Sequence, residues 1–196
     1  MAHLKVIEVS KSTQPAMHPK KFMLWLFIVS IVMVFAAMTS AYVVRQAEGV
    51  WLYFNLPPIF YVSTVIILSS SLTMHWAYLQ AQKDRVRGVK LGMILTTLLG
   101  FLFLVTQWQG WQELRSIGVF FSGEEANASG SFFYVLSGLH GAHIVSGIIY
   151  LLIILGATFQ YQIHSKSLVR LQMCATFWHF LDALWIYLFF FLLLYQ

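Results

Sequence analysis

The sequence predicts an all-α integral membrane protein with five transmembrane helices, its N-terminus cytoplasmic and its C-terminus outside. Three observations lead there. Of 196 residues, 59% are hydrophobic and only 10% charged, against about 25% charged in a soluble domain. Apolar runs recur, each of roughly 18 residues or more and so long enough to cross a hydrocarbon core of about 30 Å. Between them, basic residues gather in alternate connections, as orientation signals do. An apolar segment in lipid must satisfy its own backbone groups, so each run is read as a helix.

The first span, Phe22–Val44, follows an N-terminal arm, residues 1–21, that carries Lys5, Lys11, Lys20 and Lys21. It exceeds the apolar region of a signal peptide and is read as a retained anchor, although "TSAY" faintly resembles a cleavage site. The second, Pro58–Tyr78, is introduced by "LPP", whose Pro57 and Pro58 suit a helix start, and ends in His75 and Trp76. A connection with Lys83, Arg85, Arg87 and Lys90 leads to the third span, Leu91–Trp108. Then comes the longest connection, "QELRSIGVFFSGEEANASG", read as an outer, partner-contacting loop. Its sequon Asn127-Ala128-Ser129 matters only in a host that glycosylates. The fourth span is Phe132–Phe159 and the fifth Met173–Tyr195. Residues 22–196 thus form one five-helix domain, with almost no chain left for a soluble one, and no internal repeat or low-complexity tract.

Lys and Arg fix the orientation. Ten lie in the arm and in the second and fourth connections, the last holding Lys166 and Arg170, while the opposite side has two, Arg45 and Arg115. The N-terminus is therefore placed in the cytoplasm. The net charge of +5 is spent on orientation and is no signal for nucleic acid. Cys174 is the single cysteine, which excludes a disulfide framework and a thiolate metal cluster.

The fourth span, "YVLSGLHGAHIVSGIIYLL", repeats small residues every four positions, Gly138, Ala142 and Ser146, widened by Ser137 and Gly141. Such spacing lets helix backbones approach closely. His140, His143 and Gly147 form an adjacent stripe. On the fifth span, "TFWHFLDALWIYLFFF" sets Trp178, Asp182 and Trp185 on one stripe with His179 beside it. A carboxylate at mid-membrane depth costs about 3 kcal/mol on insertion scales, so Asp182 has to face the bundle and find a partner. The expected answer is an interhelical polar network in which His140 or His143 meets Asp182 or His179. Helix packing is assigned to Gly138, Gly141, Ala142, Ser146, Gly147, Trp178 and Trp185. Metal or haem ligation is the sharper alternative. However, His140 and His143 on one helix cannot clamp a single haem, and a haem between His143 and His179 makes Asp182 an odd neighbour. A proton or lipid role for Asp182 is the remaining reading. Trp25, Trp51, Trp76, Trp108 and Trp111 lie near span ends as interface anchors. Arg45, His75 and Trp76 are assigned as lipid contacts, Arg45 snorkelling toward a lipid phosphate. No catalytic or metal-ligating residue is assigned.

These motifs resemble a known family. "WHFLDALWIYLF" (Trp178–Phe189) resembles the last helix of subunit III of the haem–copper oxidases, where a W-H-F-x-D-x-x-W pattern is usual. "GLHGAHIVSG" (Gly138–Gly147) resembles the preceding helix, with its G-x-H-G-x-H-x-x-x-G pattern. "LWLFIVSIVMVFAAMTSAYVVR" is similar to the first helix of the short, five-helix members, so the likeness covers nearly all the chain beyond the arm. The resemblance implies an accessory subunit with no cofactor of its own, beside oxidase subunits I and II that hold haem and copper. It implies structural phospholipid in a cleft between two groups of helices, a proposed oxygen route. It also implies support of the catalytic core and its proton uptake, and further respiratory subunits in a supercomplex. One departure stands out: many relatives carry a glutamate in an S-E-x-M-F-F stretch, where this chain has Ile31 in "SIVMVF". No role of that glutamate carries over.

The expected function is therefore subunit III of a respiratory cytochrome c oxidase in a bacterial inner membrane. There, O2 reduction is coupled to proton pumping in the partner subunits. A quinol oxidase subunit or a nitric-oxide-reductase-associated homologue is the nearest alternative. From a different class, a small di-haem cytochrome would use His75, His140, His143 and His179. A transporter is disfavoured, because no inverted repeat or pair of broken helices marks a midplane site.

Overall fold

The computed structural model describes residues 19–49, 51–123, 126–159 and 168–195. Most of the N-terminal arm, with Lys5 and Lys11, lies outside the described residues, as does Lys166 of the fourth connection. The chain forms five helices, α1 Pro19–Gln46, α2 Ile59–Gln82, α3 Val86–Ser116, α4 Ala128–Phe159 and α5 Leu168–Leu194, each long and apolar enough to cross a membrane. Among the described residues there is no strand. The five predicted spans are all present, and each helix extends beyond its span at one end or both. α3 is the clearest case, running from Val86 rather than Leu91 and to Ser116 rather than Trp108. Arg87, Lys90, Glu113 and Arg115 close the apolar window, but the backbone ladder continues past them to Val86 and Ser116.

The helix ends follow local chemistry. Pro19 opens α1, where a missing N–H costs nothing. A tight turn at Lys83–Arg85 joins α2 to α3, with Asp84 in the left-handed region (φ 52°), where an aspartate is among the tolerated non-glycine residues. The Arg85 N–H donates back to the Gln80 carbonyl at 3.0 Å.

Helices α2, α3, α4 and α5 form a ring in which each packs on the next, and α1 lies outside it against α4 and α5. Burial follows that arrangement. α5 buries thirteen residues and α1 only five, Ile28, Ile31, Phe35, Thr39 and Tyr42. Ile31 itself is buried in the core. α1 runs parallel to α5, tied by Lys21 Nζ donating to Gln172 Oε1 at 2.8 Å, by Thr39 Oγ1 and Tyr187 OH at 3.0 Å, and by Tyr42 OH donating to the Tyr195 carbonyl at 3.0 Å. Lys90 stands over the Phe159 ring at 4.5 Å. The lysine-bearing ends of α1, α2 and α3 therefore share one end of the bundle with the start of α5.

Close packing surrounds Trp178. A Cβ added at Gly100 of α3 would lie 2.8 Å from its ring, and one at Gly147 of α4 3.2 Å from it. Both glycines are therefore close-approach residues, and the indole fills the space they leave. Gly141 differs, since a Cβ there meets nothing within 4 Å. Gly100→Ala should lower the unfolding midpoint in detergent, because overpacking costs about 1–3 kcal/mol. Gly141→Ala should leave it unchanged or raise it, since alanine favours a helix by about 1 kcal/mol. Circular-dichroism melts of the two variants make the comparison.

Candidate functional site

The two sequence motifs meet at the centre of the ring. Trp178 and Trp185 of α5 are each 1% exposed. Trp178 Nε1 donates to Ser70 Oγ at 3.0 Å and Trp185 Nε1 to Thr64 Oγ1 at 3.1 Å, both on α2. The same rings touch the remaining helices. Trp178 packs on Gly100 and Gly147, and Trp185 lies 5.1 Å from the Phe103 ring of α3 and 5.2 Å from the His140 ring of α4.

The hydroxyls that receive these indoles are prepared by their own helix. Ser70 Oγ donates to the Ile67 carbonyl at 2.7 Å and Thr64 Oγ1 to the Phe60 carbonyl at 2.8 Å. Each proton is satisfied within the helix, which leaves a lone pair facing the neighbour. Two further contacts repeat the device. Ser63 Oγ donates to the Phe60 carbonyl and accepts from Gln107 Nε2 at 3.0 Å. Ser137 Oγ donates to the Phe133 carbonyl and accepts from Trp111 Nε1 at 3.1 Å. The α2 hydroxyls were missed by the motif reading. The signal was the run Ser69-Ser70-Ser71 with Ser63, Thr64 and Thr73 in an otherwise apolar span.

The four polar residues expected to form one network do not bond to one another. His140 is fully buried between Trp185 and Phe103, and neither of its ring nitrogens has a hydrogen-bond partner. His143 is half-buried near Phe35 of α1, at 5.8 Å between ring centroids, and its Nδ1 donates to the Leu139 carbonyl of its own helix at 2.7 Å. His179 turns toward α2, where its Nδ1 and Ser71 Oγ share a hydrogen bond of 2.7 Å and its ring lies 6.1 Å from that of His75. Asp182 does face the bundle, 2% exposed, but neither carboxyl oxygen has a partner. Ser71 is the hydroxyl beside it, and its bond goes to His179.

His143 thus faces α1 and His179 faces α2, so the two rings do not confront each other as a bis-histidine pair across α4 and α5. A macrocycle at His140 would have to displace Trp185 or Phe103. Among the described residues, no group of three or more His, Cys, Asp and Glu is placed to hold a metal.

The small residues of α4 divide between two faces. Gly147 is buried against Trp178 and Leu181, and a Cβ added at Gly138 would lie 3.7 Å from the Trp111 ring. Ala142 and Ser146 are exposed. The residues assigned to lipid sit at the surface. Arg45 is exposed and pairs with Glu48, while His75 and Trp76 are exposed near the end of α2.

The geometry of α2 and α5 separates two kinds of polar residue. Ser71→Ala removes the only hydrogen bond to His179 Nδ1, and should cost about 1–3 kcal/mol. Ser69→Ala, at an exposed hydroxyl bonded to its own helix, should be neutral within about 0.5 kcal/mol. Asp182→Asn breaks no hydrogen bond and should not lower stability. Thermal melts in detergent rank the three, and a large loss for Asp182→Asn alone would reverse the assignment.

A family model described as cytochrome c oxidase subunit III matches residues 9–196. Cytochrome bo(3) ubiquinol oxidase subunit 3 of Buchnera aphidicola subsp. Schizaphis graminum is 29% identical over 180 residues, covering 89% of this chain and 93% of that protein. Cytochrome c oxidase subunit 3 of Corynebacterium diphtheriae is 29% identical over 171 residues, covering 83% and 82%. Its counterpart from Thermostichus vulcanus is 29% identical over 177 residues, covering 85% and 82%. The chain belongs to the cytochrome c oxidase subunit III family, whose members are subunits of oxidase complexes, and is a multi-pass membrane protein.

Proposed function

We propose that the chain is the accessory, non-redox subunit III of a respiratory cytochrome c oxidase, packed beside subunits I and II in a bacterial inner membrane. The single observation that carries this is the family match over residues 9–196. Haem and copper belong to the partner subunits. The motif residues here are spent on packing, with Trp178, Trp185, His140 and Gly147 locked against one another in the core. The outward face of α4, with Ala142 and Ser146, supports a docking surface for a partner helix, because small residues let backbones approach. His75, Trp76 and Arg45 are lipid contacts at the two ends of the bundle. The similarity to bo(3) ubiquinol oxidase subunits supports a quinol oxidase as the second reading.

The lysine-rich end of the bundle faces the cytoplasm on this reading. A reporter active only outside the cytoplasm should be active when fused after Gly123 and inactive after Asp84. The opposite pattern would invert the topology.

An affinity-tagged chain extracted in mild detergent should bring haem- and copper-containing subunits with it. Stripped of them, it should show no Soret band. A stoichiometric haem that stays with the isolated chain and disappears in His143→Ala would replace the accessory role with that of a cytochrome. The identity of the donor that reduces the co-purified complex, cytochrome c or quinol, separates the two oxidase readings.

A further inference from the structure

The serine and threonine hydroxyls of α2 follow one rule with one exception. Ser63, Thr64, Ser69, Ser70 and Thr73 each donate to a carbonyl three or four residues back on their own helix. Ser71 makes no such bond. Its hydrogen bond crosses to α5, where Oγ and His179 Nδ1 lie 2.7 Å apart. A hydroxyl has one proton to give and two lone pairs, so Ser71 alone in this run keeps its proton for a neighbouring helix.

Two α5 side chains flank that hydroxyl. His179 is half-buried, and Asp182 is 2% exposed with neither oxygen bonded. Three residues apart, they leave the helix on the same side, and Ser71 lies beside both. The two tryptophans close the seam at either level, Trp178 on Ser70 and Trp185 on Thr64. His75 is exposed, its ring 6.1 Å from that of His179, and it stands about two turns before the Lys83 end of α2.

A carboxylate sealed in an apolar interior without a donor is too costly to stay charged, and such a group takes up a proton. Few other ionisable groups surround it. α3 has none between Lys90 and Glu113, and α1 none between Lys21 and Tyr42. On α4, His140 is enclosed by Trp185 and Phe103, and His143 Nδ1 is turned to the Leu139 carbonyl of its own helix. His179 is therefore the imidazole joined to Asp182 by a hydroxyl.

We propose that Asp182 is a reversible proton-binding site, loaded from His179 through the Ser71 hydroxyl. In the loading step, protonated His179 gives its Nδ1 proton to Ser71 Oγ as the Ser71 proton passes to a carboxylate oxygen of Asp182. One N–H and one O–H bond break and two O–H bonds form. Imidazolium and carboxylate both become neutral, so the net charge is unchanged. Ser71 then rotates to donate to the vacated Nδ1 lone pair. That is the arrangement seen here, with Ser71 on His179 and Asp182 unbonded. Unloading reverses these steps. The site takes from the proposed function only that the chain spans a membrane.

The test is infrared spectroscopy of the intact, detergent-purified complex, following the C=O stretch of protonated carboxyl groups as H2O is replaced by D2O. Wild type should show one such band that Asp182→Asn lacks. Ser71→Ala should keep the band but slow its deuterium shift by about tenfold or more, the rate equivalent of one lost hydrogen bond. His179→Gln keeps a polar group against Ser71 yet cannot carry a proton, and it should slow the shift to a similar extent. It decides the matter if Ser71→Ala fails to assemble. A purely structural Ser71 predicts the reverse for Ser71→Ala, because a loosened seam admits deuterium faster, and wild-type exchange for His179→Gln. Absence of an Asp182-dependent band would overturn the proposal, as would exchange in His179→Gln at or above the wild-type rate.

Discussion

Trp178 and Trp185 stand seven residues apart on α5, close to two helical turns, so both rings leave the helix on one side at two levels. At each level the indole N–H is held by an α2 hydroxyl while the ring fills a gap in α3 and α4. Four helices are thus located by two side chains. In lipid no hydrophobic drive presses helices together, and association rests on packing and interhelical hydrogen bonds. Such bonds average about 0.6 kcal/mol in membrane proteins, too little to hold a bundle. Their use here is orientation, since an indole fixed by its N–H presents its flat faces in one direction only. The stabilisation comes from the many small dispersion contacts that this orientation allows.

That priority explains polar groups that find no partner. His140 gives its ring faces to aromatic contact and leaves both nitrogens unbonded, and Asp182 lies between the two tryptophan levels with its oxygens unbonded. Helix α1 obeys a different rule. It adds few buried residues and is held to α5 by polar contacts at several levels, from Lys21–Gln172 at one end to Tyr42–Tyr195 at the other. The ring is defined by shape, and the outer helix by hydrogen bonds.

The five spans were legible because lipid imposes a minimum apolar length that no soluble helix needs. Helix ends were not, because the apolar window closes at Arg87 or Glu113 while backbone bonding runs on to Val86 and Ser116. Stripe arguments placed Trp178, Asp182 and Trp185 on the inner face of α5, where they lie. They did not identify partners, since periodicity gives the face of one helix and says nothing about which neighbour it meets. His143 therefore answers its own backbone, and His179 answers Ser71. The α2 hydroxyls were invisible for a related reason. A serine in an apolar run carries little signal until its neighbour is known to be an indole. Arg115 and Trp108 read as an orientation charge and an interface anchor, and only the fold shows that they share a cavity.

The helix that carries both tryptophans is the fifth to be synthesised. During translation α2 and α3 follow α1 as a tight hairpin, joined through Asp84 and bonded by Thr73 and Thr96 at 2.8 Å. Yet Ser70, Thr64 and Gly147 do not meet the indoles or Leu181 until α5 enters the bilayer. The ring cannot set early. A ribosome product that stops before Trp178 has four membrane helices and an unfilled seam along α2, open to quality-control proteases. Entry of α5 and closure of the bundle thus become one event.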